Sequence, residues 1–244
     1  MFKSMRAVTM MAALLATQAW SPAQAAVSDI LLQFQNTEQA AFNSFIDDLG
    51  MIVAYNPVAP AEPYGITGFD IGIALSSVEV DATVWQGAMA GVPSSIPVPK
   101  LMVRKGLPLG IDVGIEYTQV PGSNITITGG ELRYALLDGS TTLPAVSLSG
   151  QMSNLSGVDD VDVSTYGLDL AVSKGIAMLT PYAGIGQVWV DGKDNRAGGL
   201  ADHSASLTRY YAGAKFSFLP FMNMVAQADM GAVQGYSVRL NVGF

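Results

Sequence analysis

The chain contains no cysteine, a single histidine (His203) and only 13% charged residues. Without cysteine there is no disulfide scaffold, no thiolate metal site and no lipid-modified N-terminal cysteine. Charge is about half as abundant as in an average soluble domain, and the formal net charge is −8. That balance argues against nucleic acid as a partner. Half of the residues are hydrophobic and the mean hydropathy is +0.33, too apolar for a disordered chain. Yet beyond the N-terminus no stretch approaches the ~18 consecutive apolar residues of a spanning helix. Such a chain must disperse its apolar side chains, as alternation does.

What is present begins with an export signal. Lys3 and Arg6 form a positive region, Ala7 to Ala19 an apolar one, and Ala23-Gln24-Ala25 a cleavage motif. Residues 1–25 are therefore expected to be a cleaved signal peptide, and their loss moves the formal charge from −8 to −10. Residues 26–64 form the next unit, an amphipathic helix and a Pro-rich joint. Ile30, Leu31, Phe34, Ala41, Phe42, Phe45, Ile46 and Leu49 recur with helical spacing and predict a helix over 28–49. Ser28 is its expected N-cap and Gly50 its expected C-terminal cap. Asp47 and Asp48 sit near the end where the helix dipole disfavours them. Pro57, Pro60 and Pro63 then impose an extended segment.

From Gly65 the period changes to two. Phe69, Ile71, Ile73 and Leu75 alternate with Asp70, Gly72, Ala74 and Ser76, and Tyr210 to Phe218 alternates likewise with Arg209 to Ser217. About ten such runs are expected: 68–80, 98–106, 110–120, 124–136, 143–153, 160–173, 179–191, 204–218, 221–232 and 235–244. The second is the least regular. In the seventh either face can be the apolar one. A slip at Gly129-Gly130 predicts a β-bulge. With the chain end on the periplasmic side, connections 81–97, 121–123, 154–159, 192–203 and a turn near Gln234 share one side. The other side carries short joints at 107–109, 137–142, 174–178 and 219–220.

The last nine residues, Tyr236 to Phe244, place an aromatic or aliphatic side chain at every odd position counted from the end. This resembles the closing strand of Gram-negative outer-membrane β-barrels, in which a terminal Phe and such alternation are read by the barrel assembly machinery. The resemblance implies an all-β fold over 65–244: a transmembrane, antiparallel, up-and-down barrel of about 10 strands. It implies an outer-membrane location, outer-membrane lipid around the barrel, and Phe244 as the contact to the assembly machinery. Tyr117, Tyr134, Tyr166, Tyr182, Tyr210, Phe218, Phe221 and Phe244 fall toward strand ends, as interfacial girdles do.

Ten charged residues lie within strands: Asp70, Asp112, Glu116, Glu131, Arg133, Asp169, Arg209, Lys215, Asp229 and Arg239. A basic residue facing lipid at mid-membrane costs about 2–4 kcal/mol, so these are the candidate lumen-lining residues. Near balance of sign predicts ion pairing, and ten strands predict a narrow or closed interior. No cofactor or metal site is expected. Asp159, Asp160 and Asp162 lack the glycine and distal glutamate of an EF-hand. His203, with Asp202 beside it, invites comparison with outer-membrane proteases of the omptin kind. Adjacent side chains in an extended segment point apart, however, and that family's flanking sequence is missing. His203 reads instead as a solvated loop residue, no serine nucleophile stands in a recognisable motif, and the chain reads as a non-enzyme. The leading function is narrow or gated transport of small solutes, or envelope organisation. An alternative is a surface interaction protein acting through acidic external loops, and a third is an outer-membrane hydrolase. The helix is open to three placements: a plug or cap, the membrane surface or periplasmic rim, or a partner's surface.

Overall fold

The computed structural model describes residues 32–35, 37–86, 88, 94–120 and 123–243. The expected signal peptide, the expected cap Ser28 and Phe244 lie outside these residues. Ten strands form one closed antiparallel barrel: β1 (Phe69–Glu79), β2 (Ser95–Gly106), β3 (Ile111–Gln119), β4 (Thr126–Asp138), β5 (Ala145–Ser156), β6 (Val161–Ser173), β7 (Leu179–Asp194), β8 (His203–Leu219), β9 (Met222–Gly231) and β10 (Gly235–Gly243). Each pairs with its sequence neighbours, and β1 closes the cylinder on β10 from Asp70↔Gly243 to Val78↔Gly235. The expected runs are all recovered. The longest connection, between β1 and β2, carries the one-turn helix α2 (Ala82–Trp85).

Burial is inverted relative to a barrel in water. On β1, Ile71 and Ile73 are about half exposed, whereas Asp70 is 2% exposed. The same alternation runs through β3, β5 and β10. Hydrophobic side chains outside and charged ones inside are what a bilayer-spanning barrel requires. Tyr117, Tyr134, Tyr166, Tyr210, Phe218 and Phe221 point outward, joined by Trp189 and Tyr236. Tyr182 does not: it is buried, and its hydroxyl donates to Gln227 Oε1 at 2.7 Å.

Two local expectations are corrected. Gly129 and Gly130 pair regularly with Glu116 and Ile115, and the register shifts lie instead between Ala135 and Leu137 and between Ser217 and Leu219. Gly129 faces inward, where an added Cβ would lie 2.7 Å from Ser153 Oγ, 2.9 Å from Glu116 Cγ and 3.0 Å from Tyr55 Cδ2. The break in pattern marks a place where these three side chains leave no room for another. The helix, α1, spans Gln39–Val53, later than the expected 28–49. Its end at Ala54 precedes Asn56-Pro57, and a residue before proline disfavours helical backbone. Gly50 is thus an interior helical residue packed on Val190 of β7, not a cap.

Candidate functional site: a filled, two-level lumen

Helix α1 lies inside the mouth that carries the longer connections, so the plug placement is the one observed. Phe42, Phe45, Ile46, Leu49, Ile52 and Val53 are buried. The wall that receives them is apolar on its inner face: Val98 (β2), Ile127 (β4), Leu155 (β5), Val161 and Val163 (β6), and Val188 and Val190 (β7) join the helix in one core. A polar lumen was expected throughout. The upper level is instead a hydrophobic chamber that accepts the Phe-rich face of the helix. Fully burying side chains of this size stabilises by roughly 1.5–3 kcal/mol each. Six of them hold the helix by on the order of 10 kcal/mol, an upper estimate.

The rim adds polar fastenings. Asp47 Oδ1 is 2.9 Å from His203 Nε2, so His203 is the first residue of β8 tied to the plug. This corrects the reading of a merely solvated loop histidine. Asp48 accepts from the Trp85 indole N–H at 3.1 Å and from the Asp81 amide at 3.3 Å. Burial pushes its carboxyl above the ordinary aspartate range despite those bonds. Asp160 accepts from the Leu32 amide at 3.0 Å, and Arg196 donates to the carbonyls of Leu32 and Phe34. The acidic loop around Asp160 thus meets the plug's own leading segment. Among the described residues no group of three or more metal-ligating side chains converges.

Below the helix, residues 54–64 pass down the lumen without regular secondary structure, turning at Val58 (φ 43°), toward the short-turn mouth where β1 begins. Here the side chains from the wall are charged. Arg209 donates to Tyr55 O at 3.0 Å, Arg133 to Pro60 O at 2.9 Å, Arg239 to Val58 O at 3.4 Å, and Arg104 to Pro57 O. Tyr64 and Ala61 donate their amides to Asp112 and Ser173. The proline-rich strand has few donors of its own and offers carbonyls, and arginines projecting from the wall meet them. Each arginine is also paired with an acid: Arg133–Asp112 at 3.0 Å, Arg104–Glu131 at 3.1 Å, Arg209–Asp169 at 2.6 Å, and Arg239–Asp70.

All ten sequence-derived candidates face the interior. Asp70, Asp112, Glu116, Glu131, Arg133, Asp169, Arg209 and Arg239 are buried. Lys215 is half-buried and reaches Glu62 at 3.6 Å, and Asp229 accepts from Asn56 and Gln227. Two bases escaped the sequence reading, Lys100 (3.2 Å from Glu116) and Arg104. Both lie on the irregular second strand.

Cavities lie beside the plug on its β9–β10–β1 side, two of them adjoining along β10. The one at the short-turn mouth, about 220 Å³, is lined by Glu62, Tyr64, Asp70, Lys215, Arg239 and Asn241 among others. The upper, about 30 Å³, is lined by Asn56, Ser76, Arg209, Asp229 and Ser237. Ser237 and Arg239 are successive inward residues of β10, about 6.7 Å apart along the strand. The layer between the cavities therefore contains Arg239, which lies across Gly72: a Cβ there would sit 3.0 Å from Arg239 Nε.

No protein-family model and no curated protein matches the chain. Among solved structures, the COG4313 outer membrane channel from Pseudomonas putida F1 is similar, at 14% identity and a TM-score of 0.50, over 78% of this chain and 100% of that one. The N-terminal β-barrel domain of Pseudomonas aeruginosa OprF shares 14% identity (TM-score 0.39) over 74% of this chain and 99% of its own. The KdgM porin shares 11% (TM-score 0.36) over 72% and 99%. At such identities the likeness is one of fold, and function rests on this chain's own lumen.

Proposed function

We propose that the protein is an outer-membrane barrel that passes small polar solutes along a narrow route beside a fixed plug. The observation that carries this reading is the pair of cavities adjoining along β10, parted by the layer that holds Arg239 and Asp70. Magnitudes decide against ejection of the plug as the opening event. If helix burial alone is worth on the order of 10 kcal/mol, the open fraction is about 10⁻⁷, since each 1.4 kcal/mol is tenfold. Displacing Arg239 breaks one buried ion pair, at about 3–5 kcal/mol, and is the smaller cost. The expected signal peptide, the outward apolar belt and the Tyr236–Phe244 sequence pattern support an outer-membrane location.

The test is single-channel recording of the full chain in planar bilayers. The double variant R239S/D70N removes the constriction without leaving a buried lone charge, and it should conduct several-fold more than the parent. Ion currents at the noise level for both proteins would refute the route.

A further inference from the structure

The chain ahead of the plug helix is fastened to the long-connection mouth. The Leu32 amide donates to Asp160 Oδ2 at 3.0 Å, and Arg196 Nη1 donates to the Leu32 and Phe34 carbonyls at 2.8 and 3.1 Å. Asp194 grips the same guanidinium through Nη2 at 2.6 Å and Nε at 3.0 Å, which fixes the fork and leaves Nη1 to the two carbonyls. Gln39 and Ala201 exchange two hydrogen bonds, each of 2.9 Å. Asp160 lies in the β5–β6 connection, and Arg196 and Ala201 in the β7–β8 connection. Leu32 and Phe34 turn inward and are buried, the Phe34 ring 6.0 Å from that of Phe42 and 5.7 Å from that of Phe45. Gln33 and Gln35 between them are exposed. The segment is a strap seated on the rim, one side packed and the other in solvent.

β1 begins at the opposite mouth, and with ten strands β10 ends there too, at Asp70↔Gly243. Between Leu32 and Phe69 the chain therefore crosses from mouth to mouth once more, inside its own wall. Two features make the strapped mouth the outer one. Outer-membrane barrels carry their longer connections outside. On β6 and β7 the strands also overrun the apolar belt at that end. Beyond Trp189 the outward residues of β7 are Asp191 and Lys193, and beyond Tyr166 those of β6 are Ser164 and Asp162. From Trp189 down to Leu179 the strand runs about 33 Å. At a tilt of about 40° that is about 25 Å of height, the whole apolar band, so the overrun stands clear of the membrane.

We infer that the barrel carries its own amino-terminal side across the outer membrane and presents it at the cell surface. The lumen encloses the crossing, the plug helix seals it, and the two rim connections hold the strap. The inference does not depend on the solute route.

The chain has no cysteine, so single cysteines can be read by gel shift with a membrane-impermeant maleimide–polyethylene glycol. Thr37→Cys on the strap, Ala197→Cys in the β7–β8 connection and Thr141→Cys in the β4–β5 turn all fall at exposed positions. On intact cells Thr37→Cys and Ala197→Cys should label alike. Thr141→Cys should label at least tenfold less until the outer membrane is permeabilised. An epitope inserted between Ala26 and Val27 should be bound by antibody on intact cells. Thr37→Cys labelling with Thr141→Cys instead of Ala197→Cys would overturn the crossing. Ala197→Cys protected while Thr141→Cys labels would overturn the outward orientation, and an epitope reached only after permeabilisation would overturn display. Heat-modifiable gel mobility confirms that each variant is folded, and Gln33→Cys reports on the strap should Thr37→Cys fail to fold.

Discussion

Asp47 on the plug helix and His203 at the head of β8 are held 2.9 Å apart, a link between residues 156 positions distant in sequence. Their side chains are 36% and 20% exposed, so the pair works in partly solvated surroundings. Exposed pairs contribute about 0.2–1 kcal/mol. A double-mutant cycle of Asp47→Ala and His203→Ala, read by urea unfolding, should return a coupling within that range. A coupling above about 2 kcal/mol would show that the rim, and not the apolar chamber, holds the helix.

Deeper in the lumen the scale changes. Arg209 Nη2 is 2.6 Å from Asp169, and Nη1 reaches Tyr55 O. Arg209→Met leaves the Asp169 carboxylate buried without its partner, which should cost about 3–5 kcal/mol. Lys215→Met breaks only the half-exposed contact to Glu62 and should cost under about 1 kcal/mol. Urea midpoints followed by intrinsic fluorescence should separate the two variants clearly. Equal midpoints would mean that the ion pairs do not organise the plug.

Alternation made the barrel legible because lipid and lumen impose opposite demands on successive residues. The same logic misled where the lumen is itself apolar. Val188, Trp189 and Val190 leave both faces of β7 hydrophobic. That ambiguity is the sequence trace of the helix packed against Val188 and Val190. Lys100 and Arg104 were hidden because Pro97 and Pro99 break the rhythm of β2 before the charged positions arrive. Tyr182 near a strand end reads as a girdle residue, and only its partner Gln227 on β9, 45 residues away, reveals that it points inward. Which mouth the helix fills depends on contacts such as Asp47–His203 that local periodicity does not encode.

The plug and the wall interlock through two glycines. A Cβ on Gly50 of α1 would overlap the Val190 side chain, and one on Gly192 of β7 would overlap Ile46. Alanine is favoured over glycine within a helix by up to about 1 kcal/mol. The clash reverses that preference, because overpacking a fitted core costs about 1–3 kcal/mol. G50A should therefore destabilise in spite of its better helix propensity, and G50A/V190A should recover part of the loss. Stabilisation by G50A alone would show that the helix sits further from β7.

Asp48 gives the plug a pH dependence of defined sign. Its carboxyl is half-buried against Trp85 and Asp81, and burial raises its pKa in the folded protein above that of the unfolded chain. The folded state thus binds the proton more tightly. The contribution of this group is greatest below the unfolded aspartate value of about 3.9. It is lost as pH rises through the higher folded value. Asp48→Asn keeps an oxygen to accept from the Trp85 indole and the Asp81 amide but carries no charge to desolvate. The variant should therefore unfold at higher urea than the parent near pH 7, and the difference should shrink toward zero near pH 3. Urea midpoints at the two pH values make the comparison. A gain that is larger in acid would reverse the sign and place Asp48 among the groups stabilised as carboxylates.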